Sequence, residues 1–168
     1  MYRNASSTNV ATIFRKTPSA FANIRGNSAY PQIMGIVKFY QLPYGVLVAV
    51  EVDGLPAPAG YCQMPIFALH IHEGADCTGD AIDPFRNVGM HYNPNGCPHP
   101  YHAGDMPPLF GANGKAFLAF LTTRFTVDEI IGKTVIIHDS PDDFMSQPTG
   151  NAGNKIACGT IQASRRGF

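Results

Sequence analysis

The chain is predicted to be all-β on three observations. Short apolar runs rich in Val, Ile and Phe recur along it, and no run is long enough for an extended helix. Seventeen glycines and fourteen prolines punctuate those runs with turns. Val46, Val48, Val50 and Val52 alternate with Leu47, Ala49 and Glu51, the period of two that puts one strand face inside and the other outside.

Residues 1–19 read as a flexible extension. Arg3, Arg15 and Lys16 fall there, and Val10 to Phe14, the one apolar stretch, is interrupted by Thr12. The first strand is expected at 21–26 and the second at 33–41, followed by the alternating segment. Pro56, Pro58 and Pro65 keep 53–65 from being helical. Residues 66–72 form a further strand, and 73–114 a long excursion rich in Gly, Pro and Asn. Strands resume at 115–122, 133–138 and 155–161. Between them, 126–131 (TVDEII) reads as a helical turn capped by Thr126 with Glu129 three residues on. The domain is set at 20–162, with 163–168 as a tail.

At 168 residues one domain with a sizeable core is expected. Zero formal net charge gives no general attraction to nucleic acid or to a membrane surface, and no apolar stretch reaches the length of a membrane span. With no apolar leader visible, cytoplasmic placement is the plain expectation, export remaining open. Cys62, Cys77, Cys97 and Cys158 permit three pairings if all are bridged, and none forms a C-x-x-C pair.

All six histidines lie between 70 and 138. His70 and His72, two apart on a strand, face one side and can reach one ion. His138 closes another apolar run that a neighbouring strand could bring alongside. His99, His102 and Asp105, spaced three apart, suit a turn wrapped round a tetrahedral ion, which His91 would complete as three nitrogens and one oxygen, a set suited to zinc. The imidazoles of His70, His72 and His138 suit copper. A loop of forty residues normally counts against an assignment; ligands within it supply a reason.

These residues resemble the copper/zinc superoxide dismutases, over FALHIHEG (67–74), GMHYNP (89–94), HAGD (102–105), GKTVIIHDSPDD (132–143) and TGNAGNKIACG (149–159). The resemblance implies an eight-stranded Greek-key β-barrel, an immunoglobulin-like sandwich, with long metal-binding and electrostatic loops. It implies copper on His70, His72, His91 and His138, and zinc on His91, His99, His102 and Asp105, with His91 as the bridge. It further implies that Asp142 links a copper histidine to a zinc histidine, that Thr149 lines the substrate channel, and that Cys77 and Cys158 form a disulfide. Cys62 and Cys97 fall outside the pattern.

The family's channel arginine is replaced by Lys155, which keeps the charge and loses the planar fork. Reduced but retained activity on superoxide is therefore expected. No Lys or Arg lies between His138 and Lys155, which concentrates the attraction of an anion on Lys155 and the metals. The altered loop from Cys77 to His102 leaves the oligomeric state open. The rivals are a non-catalytic relative that only binds copper and zinc, and a zinc hydrolase using His102 and Asp105. The latter lacks an evident glutamate base.

Overall fold

The computed structural model describes residues 10–58, 60 and 62–164. Residues 1–9 of the expected extension and 165–168 of the expected tail lie outside them.

Among the described residues, nine strand segments, two single-turn α-helices and a 3-10 turn follow one another as α1 (Val10–Ile13), β1 (Ala20–Gly26), β2 (Met34–Leu42), β3 (Gly45–Asp53), β4 (Ile66–Phe67), β5 (Leu69–His72), the 3-10 turn (Arg86–Val88), β6 (Leu109–Phe110), β7 (Lys115–Thr122), α2 (Val127–Ile130), β8 (Thr134–His138) and β9 (Lys155–Ala163). Seven strands make one antiparallel sheet in the order β5-β8-β9-β1-β2-β3-β7, and β4 pairs with β6 in a short ribbon. The ribbon closes the curl. β4 runs into β5 through Ala68 alone, and β6 turns into β7 through the bridge between Ala112 and Lys115. Counted as one strand interrupted at Ala68, β4 and β5 bring the number to eight, as expected of the barrel. Ala68 is not slack: its amide donates to the Ser140 carbonyl and its carbonyl accepts from the His138 amide, each at 2.9 Å. Closure also protects strand edges that would otherwise invite foreign pairing.

β6 lies inside the stretch expected to be irregular. It is held by Ile66↔Phe110 and Phe67↔Leu109, and it reaches β7 through Asn113 and Gly114, both at positive φ (51° and 76°). That is the two-residue turn whose twist matches antiparallel strands.

The period-two pattern of β3 is realised as expected. Val46, Val48, Val50 and Val52 enter the core with Phe39, Ile24, Ile71, Ile137 and Ile161. Leu47 and Ala49 point outward, where Ile13 of α1, only 2% exposed, packs on them and on Tyr40. Burying one such side chain contributes about 2 kcal/mol, so α1 is anchored to the outside of the barrel. In α2 a Glu129 carboxylate oxygen accepts from the Thr126 amide (2.6 Å) and hydroxyl (2.8 Å), the cap read from TVDEII.

No helix among the described residues is long and apolar enough to cross a membrane.

Candidate metal centre

β5 is the edge of the seven-stranded ladder, and its open side receives the long loop twice. Residue 91 bridges to His72 and residue 105 to His70. The backbone secures both returns: the Tyr92 amide donates to the Ile71 carbonyl at 2.8 Å, and the Ile71 amide to the Gly104 carbonyl at 2.9 Å. Leu69 and Ile71 face the core, so His70 and His72 face the loop. β8 pairs with β5 on its other side, and a register shift after Ile137 delivers His138 to the same place.

Two buried groups of donors result, sharing one ring. In the first, atoms of His70, His72, His91 and His138 lie within 4.8 Å of one another; in the second, atoms of His91, His99, His102 and Asp105 do. All seven predicted ligands are thus gathered. In the second group the spacings are 2.8 Å (His91 Nδ1 to Asp105), 3.1 Å (His99 Nδ1 to Asp105), 3.3 Å (His102 Nδ1 to Asp105) and 3.4 Å (His91 Nδ1 to His102 Nδ1). A tetrahedral ion with bonds of about 2.0–2.1 Å requires donor separations of about 3.3 Å. The four spacings bracket that size.

The ring nitrogens test whether metals fit. His72 Nδ1 lies 2.9 Å from the Gly89 carbonyl and His138 Nδ1 3.4 Å from that of Gly153, so each carries its proton there and turns a bare Nε2 inward. His70 Nε2 donates to Asp142 at 2.9 Å, which leaves Nδ1 bare. With His91 Nε2 and His99 Nδ1, these make five buried nitrogens without a hydrogen-bond partner. Each would cost about 1–3 kcal/mol if nothing satisfied it. Four of the five belong to the first group. His91 faces both, with Nδ1 to the second group and the unpartnered Nε2 left for the first.

Burial, first of all, keeps His70, His72 and His138 uncharged. It lowers the His70 pKa, though the bond to Asp142 opposes it, and takes His72 well below its ordinary value. Burial and then the neighbouring His70 bring His138 down to about 3. Neutral rings are the form that binds metal. For Asp105, burial works against the carboxylate, yet the hydrogen bond from His91 and the surrounding rings outweigh it and lower the pKa. For Asp142 the same opposition is overcome by His70, the Phe144 amide and His99, which hold it at about 2.

Asp142 accepts from His70 Nε2 through one oxygen and from His99 Nε2 through the other, both at 2.9 Å. One carboxylate therefore orients a ring from each group. Lys155 opens β9 opposite His138 and forms an ion pair with Asp83. Thr149 is half-buried in the turn before Gly150. Cys77 and Cys158 are bonded, with Cα atoms 5.7 Å apart, and Cys62 and Cys97 are free.

Several supporting residues were not singled out by spacing. One guanidinium nitrogen of Arg124 donates to the carbonyls of Pro100, His102 and Asp105 at 3.1, 3.2 and 3.1 Å. The Gln147 amide brackets His99, accepting from its backbone N–H at 3.0 Å and donating to its carbonyl at 2.7 Å. Gly150, at φ 67°, lies so close that a Cβ would sit 2.1 Å from Asp142 Oδ1 and 2.6 Å from His99 Nε2. Only the TGNAG run carried a hint of it.

Comparison with known proteins agrees with this geometry. The family model described as copper/zinc superoxide dismutase matches residues 33–161. The Cu-Zn superoxide dismutase of Deinococcus radiodurans is 34% identical over 152 residues, 79% of each chain. That of Legionella pneumophila is 34% identical over 141 residues, covering 79% of this chain and 80% of its own. A second Cu-Zn superoxide dismutase of Aquifex aeolicus is 31% identical over 146 residues, 78% of this chain and 80% of the relative. With a family match across most of its length and the two donor groups in place, this chain belongs to the copper/zinc superoxide dismutase family.

Proposed function

We propose that the protein dismutates superoxide, with copper held by His70, His72, His91 and His138 and zinc by His91, His99, His102 and Asp105. The observation that carries this reading is the set of five unpartnered buried nitrogens, directed into two donor groups that share His91. Four nitrogens suit copper, and three nitrogens with one carboxylate suit zinc. Bound copper supplies one-electron oxidation and reduction in turn, so that two superoxide anions and two protons give one O₂ and one H₂O₂.

The chain's own residues do the rest. The Gly89 and Gly153 carbonyls hold the protons of His72 and His138 away from the copper side. Asp142 fixes His70 relative to His99, so the two groups keep one spacing. His91 ties them directly. Lys155, beside His138, attracts the anion, and Thr149 lines its approach. A lysine offers a mobile point charge where an arginine would offer a fixed fork, so turnover is reduced.

Dismutase activity on protein with its copper and zinc quantified, before and after copper loading, tests the reading. Activity in proportion to copper, raised several-fold by Lys155→Arg, is the expected result. A fully copper-loaded protein without activity would leave metal binding alone as its role. A Lys155→Arg variant no faster than its parent would remove the explanation offered for reduced turnover.

A further inference from the structure

Two long loops flank the centre, 73–114 and 139–154, and Arg86 is the only Lys or Arg within them. Lys155 follows at once. Both of these cations are matched to carboxylates of a single turn: Arg86 lies 3.1 Å from Asp80, and Lys155 is paired with Asp83. The turn is rigidly built. Asp80 accepts from the Ile82 and Asp83 amides at 2.9 Å each, and the Asp83 carbonyl accepts from the Asp80 and Arg86 amides at 3.0 and 3.1 Å. One Asp83 oxygen caps the Phe85 amide at 3.1 Å, and the other holds Lys155.

The turn is also fastened to the barrel. Phe85 and Val88 pack on Ile136 and Cys158, beside the Cys77–Cys158 bridge. The side chains of Lys155 and Asp83 are only 18% and 32% exposed. Such a pair is screened less by salt and held more firmly than an ordinary surface ion pair. The Lys155 backbone is fixed as well, since its carbonyl accepts from the Asn27 side chain at 3.1 Å. Lys155 and Asp83 line one cleft with Asp139, whose carboxylate is bonded to Ser140 and Asn154 instead.

We propose that Asp83 sets the anion affinity of the centre by holding the Lys155 ammonium and offsetting part of its attraction. An anion approaching His138 then meets a restrained cation whose pull is weakened, rather than a free one. Asp83 is a positioning residue acting through Lys155, and the inference rests on the functional reading above. Lysine makes such restraint possible, because its flexible stem lets the ammonium be drawn to one side or released.

The test uses azide as probe anion on the copper(II)-loaded protein, followed by the absorption change on binding. Asp83→Asn keeps the cap on Phe85 and removes the charge. It is expected to tighten azide roughly fivefold, the effect of about one freed unit charge at intermediate dielectric. In a Lys155→Met background the same substitution is expected to change azide affinity by less than about twofold, leaving only distant Coulomb repulsion. Equal effects in both backgrounds, or none in either, would overturn the proposal. A double-mutant cycle of the same substitutions on the urea midpoint of metal-free protein gives a second reading. Coupling between 83 and 155 is expected, and strict additivity would also overturn it. Neither measurement involves turnover, so absence of dismutase activity in the parent would refute the functional reading separately.

Discussion

The two donor groups share a ring but are built differently. His70, His72 and His138 stand on β5 and β8, where ladder hydrogen bonds and core neighbours hold the backbone before any metal arrives. His99 and His102 stand on a loop without a ladder, so side chains hold them, Arg124 on three carbonyls, Gln147 round His99 and Asp142 on the His99 ring, while Asp105 has only a single bridge to β5. A strand provides donor spacing as a by-product of its pleat. A loop has to be given that spacing by bonds from elsewhere, and each such bond is a separate point of failure.

The largest expected effect comes from unfastening the loop from the sheet. The Cys77–Cys158 bridge spans 81 positions, and loop-closure entropy for that size gives about 4–5 kcal/mol. Cys158→Ser should lower unfolding free energy by up to that amount in urea titrations. Zinc should be lost from the loop-borne group at a lower denaturant concentration than copper from the strand-borne one. Simultaneous loss of both would show that the loop is not the weaker half.

Acid should act on the strand-borne half. His138 has its pKa lowered to about 3 in the folded protein, and His70 and His72 are lowered too. Unfolded histidines take up protons near pH 6.5, so between that value and the folded pKa the unfolded state binds more protons and stability is lost as the pH drops. From pH 7 to 5, His138 alone should remove about 2 kcal/mol from the metal-free protein. The carboxylates Asp142 and Asp105, with lowered pKa values, add their loss only below about pH 4. A urea midpoint independent of pH between 7 and 5 would contradict the buried neutral state of these rings.

The smallest effect is the most discriminating. Asp142→Ala removes one carboxylate from a ring of each group, and losses of about 10–100-fold in metal affinity are typical for such partners. Competition with chelators should show both metals weakened, zinc more so, because His99 has no strand behind it while His70 does. Equal weakening would mean that the loop holds His99 as firmly as β5 holds His70.

The same division explains what could be read from the sequence. Ligand spacing, the alternation of β3 and the Thr126–Glu129 cap were legible, because each follows from a local period or a paired residue type. β6 was not, being two residues long inside a Pro- and Gly-rich run, although Asn113-Gly114 before β7 was a hairpin signal that pointed to it. The Cys77–Cys158 pairing came from resemblance; four cysteines alone left three pairings open. Arg124, Gln147 and Asp83 carried no signal. The first two bind backbone groups, which every residue possesses, and the third lies 72 positions from its partner. Nothing short of the folded chain brings such contacts together.

Gly150 closes over the bond between Asp142 and His99 with bare backbone, leaving no room for a methyl group. The proton that His99 donates to Asp142 is thereby roofed by polypeptide rather than by water. It becomes a slow clock: its exchange with solvent waits for this loop to lift, and so keeps time for the opening of the loop over His99.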